Sequence, residues 1–202
     1  MWSPADFRRV FVAVGLIGVI VFSVPSALAL VRLPSGERFS EFYVLGPSHM
    51  ADGYPFSVSA GGTYLVFLGV GNHMGGSEYY RVVVKFRNAS EPLPNATEGV
   101  ASSLPELYAY NVFLSDGQVW EGALNFSFSD VTFGQNVSSV GRMRVNHLWV
   151  NVDKSAVWDE TNNGFYYQLF FELWIYNVDT GVFQYHDRYC AIWVHMTLSS
   201  IS

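Results

Sequence analysis

The chain has 202 residues, of which 50% are hydrophobic, 17% aromatic and only 14% charged, with a formal net charge of −6. That much apolar surface excludes an intrinsically disordered chain, and the acidic balance excludes a basic nucleic-acid footprint. A single cysteine excludes a disulfide scaffold and a cysteine-built zinc site.

The first predicted element follows Arg8 and Arg9. An uncharged stretch of 22 residues, Val10 to Val31, would span about 33 Å as a helix, enough for the hydrocarbon core of a bilayer. Pro25 and two serines interrupt its outer end. The same stretch also describes a secretory signal, because Ala27-Leu28-Ala29 has the small-x-small form of a cleavage site. Its length favours an uncleaved anchor over residues 1–31, and either reading exports residues 32–202. Arg8 and Arg9 favour a cytoplasmic N-terminus. Four Asn-x-Ser/Thr acceptors point the same way: Asn88, Asn95, Asn125 and Asn136. Asn88 and Asn95 flank the turn-rich Ser90-Glu91-Pro92-Leu93-Pro94, and Asn136 follows Phe133-Gly134-Gln135.

Beyond Val31 the apolar period is two, the signature of strands. Strands are predicted at Phe39–Leu45, Pro55–Ala60 and Thr63–Gly71. In Tyr80–Arg87, Tyr80, Val82, Val84 and Phe86 form an apolar face, and Arg81, Val83, Lys85 and Arg87 a mostly basic one. The segment from Asn88 to Pro105 reads as a surface loop. Leu107–Leu114 is a further strand, and in Trp120–Phe128 the inward face is Trp120, Leu124, Phe126 and Phe128, with Asn125 outward. Arg144–Val152 is a strand, and Lys154–Gly164 a short helix or long loop. In Phe165–Asn177 the odd positions are apolar, while Gln168 and Glu172 lie on the other face. A turn at Asn177–Gly181 leads to a short strand Val182–Tyr185, then to Tyr189–Leu198 with Cys190, Ile192, Val194, Met196 and Leu198 inward. About eight to ten strands at this spacing predict an all-β fold, a two-sheet immunoglobulin-like sandwich behind one N-terminal transmembrane helix.

The segment Phe39-Ser-Glu-Phe-Tyr-Val-Leu-Gly-Pro47, continued by Gly53-Tyr54-Pro55, Asn72-His73 and Tyr80 with its valines, resembles an archaeal domain of unknown function. In that family the domain is the extracytoplasmic C-terminal part of uncharacterised membrane proteins. The family's usual glutamate after Asn-His is Met74 here, and members often carry several membrane helices where this chain has one. The family has no established activity, so the resemblance implies a surface protein with an immunoglobulin-like sandwich and no catalytic residue.

Chemistry-bearing residues do not converge in the sequence. His49-Met50, His73-Met74 and His195-Met196, with Cys190, have the residue types of a copper site. Alternation, however, places Cys190 and Met196 inward and His195 outward, so no metal is expected. Glu41, Asp116, Glu121, Asp153, Asp159, Glu160 and Glu172 are scattered, without the paired spacing of acid–base hydrolysis, and read as solvated carboxylates. Oxygens of Asp153, Asp159, Glu160 and Asn162 match no calcium loop. Gly61-Gly62 and Gly75-Gly76 precede strands rather than helices and read as turns, and no Gly-x-Ser-x-Gly elbow occurs. Most tryptophans sit on strands and read as core or inter-domain packing, and only Trp158 falls in a polar loop where exposure would mark a binding patch.

The expectation is a non-enzymatic, N-glycosylated archaeal cell-surface protein without catalytic residues or cofactor. Its partners would be the membrane, other envelope proteins or copies of itself, and covalent glycans, with no nucleic acid. Two alternatives stay open. One is a subunit of an extracellular filament, by pilin-like assembly or by a donor strand near Leu33–Tyr43. The other is a carbohydrate-binding module.

Overall fold

The computed structural model describes residues 4–31 and 37–198, which fall into two compact units divided between Arg38 and Phe39. The first holds helix α1, Pro4–Val31. Pro4 suits a first helical position because its missing N–H has no partner to lose there. Asp6 lies in the first turn, where a negative charge meets the positive end of the helix dipole, and Arg9 reaches it at 3.8 Å. Among the described residues no helix is long and apolar enough to cross a membrane. The anchor expected at Val10–Val31 therefore rests on the sequence. The side chains of Ala27, Leu28 and Ala29, the expected cleavage signature, lie outside the described residues.

The second unit is an all-β sandwich of two five-stranded sheets. The strands are β1 (Phe39–Leu45), β2 (Ser57–Ser59), β3 (Thr63–His73), β4 (Glu78–Asn88), β5 (Tyr108–Leu114), β6 (Val119–Phe133), β7 (Val137–Val145), β8 (Leu148–Val157), β9 (Phe165–Asn177) and β10 (Val182–Thr197). One sheet has the order β1-β3-β6-β7-β8 and the other β2-β10-β9-β4-β5. Pairing is antiparallel except where the short β2 runs parallel to β10. The segment proposed as a donor strand is, from Phe39 on, part of β1, bonded along its length to β3. Leu33 to Gly36 lie outside the described residues.

The core forms where the alternating apolar faces meet. The first sheet contributes Val66, Leu68, Val70, Leu124, Phe126, Phe128, Met143 and Val145. The second contributes Tyr80, Val82, Val84, Phe86, Tyr167, Leu169, Phe171, Leu173, Ile192, Val194 and Met196. The inward positions predicted on β4, β6, β9 and β10 are among them, with Trp120, Ile175 and Cys190 only partly buried against the core.

Four local expectations are corrected. Arg144–Val152 is not one strand: a two-residue turn at Asn146-His147 makes a hairpin, with Val145 paired to Leu148 and Asn146 at φ 53°. Asparagine tolerates that left-handed backbone. Lys154–Gly164 holds neither a helix nor a long loop, because β8 runs on to Val157 before a tight turn at Asp159–Gly164. Val182–Tyr185 is continuous with the following strand. A bulge at His186-Asp187 shifts the register, and it puts the polar pair where alternation breaks. Leu198 is 73% exposed, since β10 ends at Thr197 and no strand faces it.

Candidate functional site: a covered polar face and an aromatic cleft

Four polar side chains from both sheets meet in the interior. Tyr80 on β4 is fully buried, and its hydroxyl lies 2.7 Å from Ser40 Oγ on β1. It donates to Asn72 Oδ1 on β3 at 3.2 Å. Ser40 also meets His186 Nε2 of the β10 bulge at 2.9 Å. Ser40 and Asn72 belong to one sheet, Tyr80 and His186 to the other. Asn72 and Tyr80, with Ser40 and His186, therefore make a hydrogen-bonded staple between the sheets, which is a structural role. His73 itself points away, with its Nε2 3.3 Å from Glu41 and its ring stacked on Phe39.

The staple carries a pH dependence. Burial, then the charge of Arg188, holds the His186 pKa below its ordinary 6.5, while Asp187 opposes them. The unfolded chain therefore binds the proton more readily than the folded one. Stability from this group is present above about 6.5 and is lost as pH falls through the folded-state value. Thermal melts between neutral and mildly acidic pH are expected to show a falling midpoint, with a shallower fall in His186→Gln.

The outer face of the second sheet, which carries the mostly basic side of Tyr80–Arg87, is largely closed to solvent along β4 and β9. The segment 89–107 lies over it, leaving Val83, Lys85, Arg87, Gln168, Phe170 and Glu172 each no more than 6% exposed. Glu172, expected as a surface carboxylate, has no exposed area. It accepts from Lys85 Nζ at 2.9 Å, Ser102 N–H at 2.7 Å and Trp174 Nε1 at 3.1 Å. Lys85 also donates to the Ser102 carbonyl at 2.6 Å. Arg87 Nε donates to Gln168 at 2.7 Å, and its Nη1 to the carbonyl of Glu91. Glu91 pairs in turn with Lys154 of β8, which ties the covering segment to the other sheet.

Where this cover ends, an aromatic cleft opens. Cross-strand register sets its floor. Trp193 on β10 stands opposite Gln168 on β9, and His195 opposite Tyr166. Phe56, just before β2, accepts the His195 N–H through its carbonyl. The Tyr166 and His195 rings stack at 5.0 Å, and Phe56 tilts toward both at about 6 Å. The Arg87 guanidinium sits 5.5 Å over Trp193. Phe56 and Trp193 stay 50% and 42% exposed. Asp159 and Asn162, from the turn after β8, complete the wall. The cleft encloses about 330 Å³, within the range of small-molecule sites of about 300–1,000 Å³.

A family pattern matches residues 33–138, just over half of the chain and all of β1 to β6. The chain belongs to the DUF1616 family, a domain of unknown function. In this DUF1616 member, Phe56 lies inside the matched region, while Asp159, Asn162, Tyr166 and Trp193 lie beyond it. No curated protein matches the chain. Among solved structures, a CARDB domain from Pyrococcus furiosus, determined with di-metal ions, aligns at 10% identity and TM-score 0.40 over 81% of this chain and 98% of that one. A PapD-like domain of human CEP192 aligns at 8% identity and TM-score 0.32, covering 84% and 91%. A β-glucosidase from Listeria innocua bound to glucose aligns at 9% and 0.39, with 80% of this chain on 16% of the enzyme.

Of the four sequon asparagines in this DUF1616 domain, Asn95, Asn125 and Asn136 are exposed. Asn125 points outward between Leu124 and Phe126, both fully buried. Asn88 differs. Its Nδ2 donates to the Ser155 carbonyl at 2.8 Å, and its Oδ1 accepts from Ser90 and from the Glu91 N–H. The His-Met pairs do not meet. His49 stacks on Phe67 and pairs with Glu121, while His73 lies six residues beyond Phe67 on β3, a rise of about 20 Å along the strand. Cys190 donates to the Phe42 carbonyl at 3.4 Å, and burial pushes its thiol up to about 11. Among the described residues no three His, Cys, Asp or Glu side chains gather to hold a metal.

Trp158, singled out by its loop position, is 38% exposed and packs edge-on against Phe165 at 5.1 Å. Among the described residues the more exposed tryptophans are Trp149, which lies beneath Arg142 and Arg144, and Trp193. Both were expected as packing on their strands and are surface residues instead; for Trp193 the reason is that the alternation which turns Ile192 and Val194 inward turns it outward.

Proposed function

We propose that this DUF1616 chain is a non-enzymatic, N-glycosylated archaeal surface protein. In this reading α1 holds it at the cytoplasmic membrane, and its immunoglobulin-like sandwich is outside as an interaction subunit of an envelope complex. The aromatic cleft carries the reading. Two large aromatic side chains stay about half exposed beside a polar turn, where the cover of 89–107 ends, and exposed apolar surface rimmed by polar groups marks interaction sites. The uncharged run Val10–Val31 supports the anchor, and the outward asparagines at 95, 125 and 136 support glycosylation. The carboxylates support a non-catalytic role: Glu41 and Glu121 face histidines at separate places on the first sheet, and Glu172 is locked in an ion pair.

Native membranes test each part. The chain is expected to stay in the pellet after an alkaline carbonate wash. Glycopeptide mapping is expected to find sugar at Asn95, Asn125 and Asn136 and none at Asn88, whose amide nitrogen is already engaged. Envelope proteins that co-purify in mild detergent are expected to be lost from the Phe56→Ala/Trp193→Ala variant. Release by the wash refutes the anchor, four bare asparagines refute glycosylation, and a full partner set on the double variant refutes the cleft as the interaction face.

A further inference from the structure

We infer that the cleft formed by Phe56, Tyr166, Trp193, Asp159 and Asn162 binds a neutral saccharide presented by another molecule. The inference rests on the cleft being the interaction face, as proposed above, and adds the chemistry of what it takes.

The floor is rigid before any ligand arrives. Tyr166 donates its hydroxyl to the Asn162 carbonyl at 2.7 Å and stacks on His195, so the ring is held at both ends. Trp193 is backed by Arg87, itself fixed by Gln168. Flat aromatic faces suit the C–H face of a pyranose ring, and a fixed floor saves the ordering cost of binding. The wall supplies matching polarity. Asp159 accepts from the Thr161 and Asn162 N–H groups at 2.9 and 3.0 Å, and from Asn162 Nδ2 at 2.8 Å. These bonds aim the carboxylate and leave acceptor capacity for a sugar hydroxyl. An acyl chain would desolvate that carboxylate without compensation, which argues against a lipid.

Charge selects among sugars. The hydrogen bonds from Asn162 hold the Asp159 carboxyl below the usual range, so it is ionised at neutral pH and repels a uronate or phosphate. Arg87 turns its bonds away from the cleft, to Gln168 and the Glu91 main-chain carbonyl, and the nearby Glu91 carboxylate answers its charge. The saccharide comes from another molecule because the sequon bordering the cleft, Asn88, has its amide nitrogen bonded to Ser155.

The test is calorimetric titration of the full chain, purified in a detergent without a sugar headgroup, with maltotriose, mannotriose, chitotriose and trigalacturonate. At least one neutral trimer is expected to saturate, with trigalacturonate about tenfold weaker or more. Phe56→Ala and Trp193→Ala are each expected to weaken binding about tenfold or more, Trp193→Phe no more than about threefold, and Trp149→Ala not at all. Unchanged thermal midpoints verify that the variants are folded. Failure of all neutral trimers, equal binding of trigalacturonate, or undiminished binding by Trp193→Ala overturns the inference. If the trimers fail while cleft variants still lose their envelope partners, the saccharide is wrong and the interaction face stands. If the variants keep their partners, the interaction face falls as well.

Discussion

Glu172→Ala is expected to destabilise the sandwich by about 3–5 kcal/mol, the usual cost of removing one partner from a buried ion pair. The reason lies in what remains. Lys85, 5% exposed, would keep the Ser102 carbonyl but lose its counter-charge. The Ser102 N–H and Trp174 indole N–H would lose their acceptor at the same time. Glu172→Gln is expected to be nearly as damaging despite its shape. All three neighbours are donors, and an amide turns a donor of its own toward one of them. Lys85→Met combined with Glu172→Leu is expected to cost less than Glu172→Ala, since no charge is then buried alone. Urea unfolding followed by tryptophan fluorescence measures all three. A loss under about 1 kcal/mol for Glu172→Ala would mean that 89–107 opens freely to water.

This pair also marks the limit of what could be read from the sequence. Alternation located β1 to the residue, placed Asn125 outward between two buried neighbours and sorted the inner faces of β4, β6 and β9. Each of those strands has one face against the core, so a period of two reports it directly. The second face is different. Lys85, Arg87, Gln168 and Glu172 have the pattern of a solvated surface. Only the path of 89–107, a stretch rich in proline and lacking periodicity, seals them. A buried charge and an exposed one look alike in sequence until the partner across the sheet is known. Bulges limited legibility too. The register shift at His186-Asp187 hid that β10 is one strand. Asn146, read as mid-strand, is a turn residue with no glycine beside it to signal the hairpin. The cleft was half legible. Trp193 follows from alternation, but its meeting with Phe56 depends on a parallel pairing of three residues between β2 and β10, which no local pattern announces.

The second large effect is expected at Asn72, which is fully buried with all four side-chain hydrogen-bonding positions used. Nδ2 donates to the carbonyls of Gly76 and Leu114 at 2.8 and 2.9 Å. Oδ1 accepts from the Met74 N–H at 3.0 Å and the Tyr80 hydroxyl at 3.2 Å. One side chain thus holds the turn after β3, the end of β5 and the opposite sheet. Asn72→Ala orphans four groups at about 1–3 kcal/mol each, but water reaches the turn, so a net loss of about 3–5 kcal/mol is expected. Asn72→Asp keeps both acceptor roles yet aims lone pairs at two carbonyls, so it is expected to be the worse variant at neutral pH and to recover partly on acidification. Tyr80→Phe removes only the hydroxyl and is expected to cost about 1–2 kcal/mol. Because that hydroxyl is one of Asn72's four partners, the double variant Asn72→Ala/Tyr80→Phe should lose less than the sum of its parts, by about 1 kcal/mol. Strict additivity in urea unfolding would show that Tyr80 and Asn72 act separately.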